Sequence, residues 1–334
     1  MTEPAQGPGP APASRVVALA GGVGGAKLAH GLQAASGDRL TVVVNTADDL
    51  ERHGLLVMPD HDTVMYTLAG LANREWGWGL EGETFAAAEM LARLGEPTWF
   101  RLGDRDLAIH IVRTGRLRAG LGLTEVCLGI QRSLGVAATI LPMSEEPVRT
   151  EVRTDEGWLE FQEYFVGRHQ EPEVLEVAFR GAELAAAGPG VEAAIVAADA
   201  IVIAPSNPIV SIGPILAIQG IRDALAAARD GGTPIVAVSG IVGGKALKGP
   251  ADRMLASLGH ESSALGVARI LAELATDFVL DGVDASSAAA IETLGLRAHV
   301  TDTVMTDDAG RVRLAGECLE IATRARGAGA PSAS

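Results

Sequence analysis

The sequence predicts a doubly wound α/β fold, Rossmann-like, with a mostly parallel sheet, a helical insertion and a small antiparallel excursion. Three observations predict it. Short apolar runs rich in β-branched residues recur along the chain, each followed by a turn signal and a helical pattern, as a sheet covered on both faces requires. Hydrophobic residues make up 48% of the 334 positions but aromatics only 4%, so the core must be built from Ala, Val, Leu and Ile. No apolar run reaches the ~18 residues that span a bilayer, because Gly, Asp, Lys or Pro interrupts every candidate.

The elements follow in order. Residues 1–14 and 327–334, rich in Pro, Ala, Gly and Ser, read as disordered tails around one α/β domain at 15–326. The first strand is expected at 16–20, where a short apolar run continues into glycines rather than a signal-peptide cleavage site. A helix at 26–35 and a strand at 40–45 come next. Across about 62–181 the chain reads as an insertion. Its first part is helical in pattern, as in Phe85-Ala-Ala-Ala-Glu-Met-Leu-Ala-Arg-Leu94, and its second part alternates like antiparallel strands, as in Thr150-Glu-Val-Arg-Thr154 and Trp158-Leu-Glu-Phe161. Strands at 200–204, 234–239 and 278–280 then alternate with helices at 212–229, 251–257, 264–275 and 285–294, whose alanines permit close packing on a sheet.

Lys and Arg number 27 against 42 Asp and Glu, a net charge of −15 that argues against a dedicated nucleic-acid or anionic-membrane binder. Any phosphate must be held locally. The two cysteines, Cys127 and Cys318, have neither disulfide-framework nor zinc spacing, so a reduced cytoplasm is the expected compartment.

Six segments could carry chemistry. Ala20-Gly-Gly-Val-Gly-Gly-Ala-Lys27 follows a strand and opens a helix, which suits either contact with an anion through backbone N–H groups or a tight turn. It is neither a Walker A loop nor a full G-x-G-x-x-G. Val43-Val-Asn-Thr-Ala-Asp-Asp49 and Pro59-Asp-His-Asp-Thr63 bring four aspartates toward one crevice. Of these, Asp49 and Asp62 are the expected pair for a divalent cation that clamps phosphate oxygens, although Asp also caps helices and forms turns. Leu102-Gly-Asp-Arg-Asp106, with Arg101 before it, reads as a solvated helix start or as a stacking cation presented to a ligand. His53, His61 and His110 show no spacing suited to a metal. Ile203-Ala-Pro-Ser-Asn-Pro208 fixes a loop whose Ser206 and Asn207 can bind phosphate or satisfy their own backbone. Val242-Gly-Gly-Lys-Ala-Leu-Lys-Gly-Pro250 puts Gly244, Lys245 and Lys248 in a diphosphate cradle or a plain surface loop. The three glycine- or proline-shaped loops and the acidic cluster follow predicted strands, so nucleotide binding or phosphoryl-group transfer at the sheet's carboxyl edge is the reading they share.

These segments resemble the 2-phospho-lactate transferase family of deazaflavin coenzyme (coenzyme F-420) biosynthesis. Further matching segments are Trp78-Gly-Leu-Glu-Gly-Glu-Thr-Phe85, Ile140-Leu-Pro-Met-Ser144, Ser211-Ile-Gly-Pro214 and Asp302-Thr-Val-Met305. Together they run from about residue 15 to 322. The resemblance implies transfer of a three-carbon phospho-acyl unit from a guanosine-diphosphate-linked donor to the ribityl hydroxyl of the deazaflavin precursor Fo, releasing GMP. It implies Mg2+, a homodimer, and a deazaflavin pocket lined by Asp62, Arg101 and Thr84. The guanosine diphosphate would then lie on Gly21, Gly22, Gly24, Gly25 and Lys27, on Ser206 and Asn207, and on Gly244, Lys245 and Lys248. Val23 departs from the family's frequent Gly-Gly-Thr-Gly and removes a hydroxyl. The Ala/Gly/Arg-rich composition is similar to actinobacterial members, which implies an enolpyruvyl unit, with lactyl as the alternative. A non-catalytic nucleotide-sugar-binding regulator of the same superfold is the rival; there a Gly/Ser-rich stretch tends to follow the acidic pair, where this chain has Leu50-Glu-Arg-His-Gly54. A dehydrogenase is disfavoured by the incomplete dinucleotide fingerprint.

Overall fold

The structure is a computed structural model that describes residues 14–329, with burial resolved to residue 327. Most of the first predicted tail lies outside the described residues. Strand β1 (Val16–Ala20) is buried at all five positions and leads into α1 (Gly22–Ser36), so the glycine segment forms the helix's first turn rather than preceding it. Strand β2 (Leu40–Val44) follows, then the hairpin β3 (Leu50–Arg52) and β4 (Leu55–Val57). Helices α2 (Pro59–Leu68), α3 (Ala86–Arg93), α4 (Asp104–Arg118) and α5 (Leu123–Ser133) form the helical segment expected from the sequence.

The expected insertion is not one continuous excursion. Strand β5 (Thr139–Pro142) returns to the main sheet and pairs parallel with β2, Thr41 opposite Thr139. Its brevity and terminal proline hide it in the sequence; proline is tolerated there because β5 is an edge strand. The antiparallel excursion is present as β6 (Arg149–Thr154), β7 (Gly157–Glu160) and β8 (Glu176–Arg180), in the order β7-β6-β8.

After α6 (Val191–Val196) the chain enters β9 (Ala200–Ile203). The helix expected at 212–229 is broken: a π-turn at Pro208–Ile212 precedes α7 (Gly213–Ala217), and α8 (Gln219–Asp230) begins after Ile218, which is extended at ψ 111°. The break lets Ile215, Ile218 and Ile221 all bury in one core, where each stabilises by roughly 1.5–3 kcal/mol. Next come β10 (Ile235–Val238), the two-residue hairpin strands β11 (Ile241–Val242) and β12 (Lys245–Ala246), α9 (Ala251–Ser257) and α10 (Ala264–Leu271). Strand β13 (Asp277–Asp281) leads through a 3-10 turn, where the start of a helix was expected, into α11 (Ala288–Glu292). Strand β14 (Arg297–Thr301) and helix α12 (Asp308–Gly329) went unread in the sequence, and α12 carries helix into 327–329, positions assigned there to a tail.

The main sheet has seven parallel strands in the order β14-β13-β10-β9-β1-β2-β5. One core lies on each face, built from Val, Leu, Ile and Ala as the composition requires. Helix α12 packs closely on α1, where a Cβ on Gly31 would stand 2.1 Å from the Arg311 carbonyl oxygen. Among the described residues no single helix is long and apolar enough to cross a membrane.

Candidate active site

Strand order reverses between β1 and β9, and a doubly wound sheet opens a crevice at that point on its carboxyl edge. Loops after β1, β2, β9, β10 and β14 wall a cavity of 670 Å³ there, inside the range of about 300–1,000 Å³ for small-molecule sites. Its two ends differ in chemistry.

The glycine end is built by close approach. A Cβ on Gly24 would lie 2.2 Å from the Pro205 carbonyl oxygen, and one on Gly25 2.5 Å from Ser206 Oγ, so these glycines let α1 press against the loop after β9. Ser206 Oγ accepts from the Gly21 N–H at 3.1 Å and donates to the Gly21 carbonyl at 2.8 Å. Gly22, in the left-handed region at φ 58°, donates its N–H to Asp60 Oδ1 at 2.8 Å. The N–H groups of Gly21 and Gly22 therefore already have protein acceptors, and the α1 amino end already faces a carboxylate. Asn207 Oδ1 accepts from the Ile209 and Val210 N–H groups, which starts the turn after it. Lys27 and Lys248 both line the cavity; Lys27 Nζ donates to the Met305 carbonyl at 2.9 Å and Lys248 Nζ to that of Trp76 at 3.4 Å. Burial, then the charges of Arg311 and Lys248, lower the Lys27 pKa. Lys245 pairs with Asp252 at 3.5 Å on the surface, and neither it, Gly244 nor Gly25 lines the cavity.

Between the ends lies a buried acidic cluster. Asp48, Asp60 and Asp62 line the cavity, whereas Asp49 does not and has Arg149, Arg113 and His61 as its charged neighbours. Burial raises Asp60 to about 6, opposed by hydrogen bonds from Asn45 and Gly22. Burial, then the Asp60 charge, pushes Asp48 well above the ordinary range, and burial does the same to Asp49. Asp62 behaves in the opposite way: burial alone would raise it, but Arg113 binds both its oxygens and holds it well below the carboxylate range.

The other end is aromatic. Trp76 and Trp78 have ring centroids 5.4 Å apart, Trp99 and Phe100 5.8 Å, and Phe161 and Phe165 stack at 5.5 Å. Arg101 lines the cavity with its guanidinium 3.6 Å from the Phe85 ring centroid, and it has no ion pair among the described residues. The ring it stacks on is thus one of the protein's own. Thr84 is placed differently. Its hydroxyl donates to Asp104 Oδ2 at 2.5 Å, Asp104 also accepts from the Ala86 and Ala87 N–H groups at the start of α3, and Thr84 is absent from the lining.

Sequence reading missed a further group. Asp62, Asp106 and His110 are buried, offer ligand atoms within 4.8 Å of one another and could hold a metal ion. This corrects the expectation that His110 has no metal-suited setting; its partner Asp62 comes from another helix, so spacing along α4 reveals Asp106 but not Asp62. The available signal was the i, i+4, i+7 placement of Asp106, His110 and Arg113, which puts them on one face of α4. Oxygen donors suit a hard divalent cation. Asp48 Oδ1 and Asp49 Oδ1 are also buried with no hydrogen-bond partner among the described residues, but neither belongs to that group. Arg113 leaves Asp62 acceptor directions to spare, because a carboxylate has about four.

Comparison with known proteins bears on this geometry. The family model described as 2-phospho-L-lactate transferase CofD matches residues 16–313. A Streptomyces griseus protein named phosphoenolpyruvate transferase is 44% identical over 319 residues, 93% of this chain and 99% of that protein. A Methanosarcina acetivorans protein named 2-phospho-L-lactate transferase is 41% identical over 292 residues, 87% of this chain and 94% of that one. Among solved structures, the Bacillus halodurans protein BH3568 superposes with a TM-score of 0.62 at 16% identity, covering 92% of this chain and 99% of its own, a likeness of fold alone. With the family model and these identities spanning most of its length, the chain belongs to the 2-phospho-L-lactate transferase CofD family.

Proposed function

We propose that the protein is a transferase that moves a phosphoenolpyruvyl unit from a guanosine-diphosphate-linked donor to the ribityl hydroxyl of Fo, releasing GMP, in coenzyme F-420 biosynthesis. One observation carries the reading: a single cavity joins a glycine- and lysine-lined end to an aromatic end through buried aspartates. The names of the Streptomyces and Methanosarcina relatives support phospho-acyl transfer, and the Streptomyces name supports the enolpyruvyl unit.

In this reading Lys27 and Lys248 attract the diphosphate, and Ser206 and Asn207 keep the loop beneath it rigid. Arg101 and the tryptophans take the flat deazaflavin ring. The acceptor hydroxyl attacks the phosphorus bearing the three-carbon acid and gives up its proton to solvent, the new P–O bond forms, and the bond to GMP breaks, GMP leaving with the electron pair. Asp49 and Asp62, with Asp48, would hold Mg2+, which when bound neutralises charge on the phosphate oxygens. What the chain itself contributes is position: it holds both substrates in one cavity and keeps Asp62 ionised through Arg113. The family resemblance also supports a cytoplasmic homodimer.

The test incubates purified protein with Fo, Mg2+ and each guanosine-diphosphate-linked acid in turn, following product mass and GMP. Enolpyruvyl product that disappears with a chelator is expected. Product from the lactyl donor alone would change the donor, and no product from either, with tight nucleotide-sugar binding, would overturn the enzyme reading.

A further inference from the structure

Helix α4 opens with two carboxylates in its first turn, Asp104 and Asp106, where the helix dipole favours negative charge. Asp104 faces outward and caps α3, while Asp106 faces α2. Three contacts fix Asp106. Its backbone N–H donates to Glu83 Oε1 at 2.8 Å, the Tyr66 hydroxyl donates to its Oδ1 at 2.5 Å, and His110 Nε2 stands 3.3 Å from that same oxygen. Tyr66, His110 and Arg113 are themselves buried at 1% exposure or less, so this support is rigid. Gly103 makes it possible, since a Cβ there would lie 2.2 Å from Glu83 Cδ.

Asp106 Oδ2 is left over. It has no protein partner among the described residues, and the side chain keeps 12% exposure, on the cavity wall. A carboxylate with one oxygen tied down and the other bare in a cavity is a fixed acceptor for a hydrogen-bond donor of the ligand. Arg101 and Phe100, just before α4, line the same cavity at its aromatic end.

We infer that Asp106 is a substrate-contacting residue whose Oδ2 accepts a hydrogen bond from a hydroxyl of the acceptor's polyol chain. This rests on the transferase reading. It explains why Tyr66 and His110 are buried against a carboxylate that the sequence presents as part of a solvated helix start. It also assigns acceptor recognition to a side chain other than Asp48, Asp49 and Asp62, the aspartates proposed for Mg2+. Asp106 would thereby select a polyhydroxylated acceptor over an alkylated one of the same ring.

The experiment measures Fo binding by isothermal titration without donor, GDP binding, and steady-state KM and kcat. Asp106→Ala should raise Kd and KM for Fo about ten- to hundred-fold, as loss of a hydrogen bond to a charged group does, and leave GDP affinity within about two-fold. Asp106→Asn, which keeps an acceptor oxygen and the shape, should recover part of the loss. A deazaflavin bearing a plain alkyl chain should bind wild type and Asp106→Ala alike. Tyr66→Phe, a milder change, should weaken Fo binding in the same direction and keeps the inference testable if Asp106→Ala does not fold. Wild-type affinity for Fo in Asp106→Ala, or equal losses for Fo and GDP, would overturn it. Failure of the wild-type chain to bind or turn over Fo with either donor is a separate outcome and removes the transferase reading beneath it.

Discussion

Asp277 and Arg297, the first residues of β13 and β14, and His299, midway along β14, repeat the chemistry of Asp62, Arg113 and His110 beside the cavity. Arg297 forks onto both Asp277 oxygens at 2.8 and 2.6 Å, His299 Nε2 lies 2.8 Å from Oδ1, and the Thr276 hydroxyl donates to Oδ2 at 2.8 Å. Both aspartates are buried, and in both burial is outweighed by partners that hold the carboxyl below its ordinary range. They differ in what surrounds them. The Arg297 side chain is 56% exposed and the Asp277 cluster is satisfied within itself. Arg113 is fully buried, and its cluster ends in Asp106, an oxygen facing a cavity. Buried charge by itself therefore does not mark a site; a rigidly held, incompletely satisfied group beside a ligand-sized space does.

The sharpest way to break this comparison is to remove each arginine. Arg113→Met leaves Asp62 buried without its counter-ion and should cost about 3–5 kcal/mol in urea unfolding. Arg297→Met loses a half-exposed partner and should cost within about 1 kcal/mol. Arg113→Lys keeps the charge but not the fork, and should fall between wild type and Arg113→Met. Equal costs at the two arginines would mean that burial of the cation carries no weight here.

A smaller effect extends the contrast to the lysines of one loop. Lys248 lines the cavity and Lys245 pairs with Asp252 outside it, although the sequence offers both as a cradle. Lys248→Ala should raise the donor KM about ten-fold, the loss of one charged contact to phosphate, and Lys245→Ala should leave it within about two-fold. Similar effects from both would return Lys245 to the site.

The lysines also show where sequence reading stops. Strands such as Val16–Ala20 and Ala200–Ile203 are legible because a strand buried on both faces is a run of β-branched residues. Their following loops are legible for the same reason, since a parallel sheet exposes its carboxyl ends. Strands β5 and β14 were lost because edge strands tolerate proline and charge. Within the site, residue type gave the chemistry but not the direction a side chain takes. Asp48 and Asp49 are adjacent, and only tertiary packing decides which faces the cavity. Thr84 is drawn into capping α3 by Asp104, a partner twenty positions on. Arg113, His110 and Asp106 required knowing that α4 lies against α2.

The smallest effect tests the self-contained cluster by pH. Burial would raise the Asp277 carboxyl, but hydrogen bonds from His299, Arg297 and Thr276 bring it to about 2, below its ordinary value of 3.8. A carboxyl depressed in the folded state binds protons more readily once unfolded, so its stabilisation is present above pH 3.8 and is lost as pH falls through about 2. Asp277→Asn removes the titrating group and keeps the shape. It should lower stability by about 1 kcal/mol near neutrality, through weaker bonds to Arg297 and His299, and flatten the acid limb of the unfolding curve across that window. Turnover per folded molecule at neutral pH should stay at the wild-type level, because none of these residues lines the candidate site. A fall in turnover without a change in the acid limb would show that the two regions differ less than their surroundings indicate.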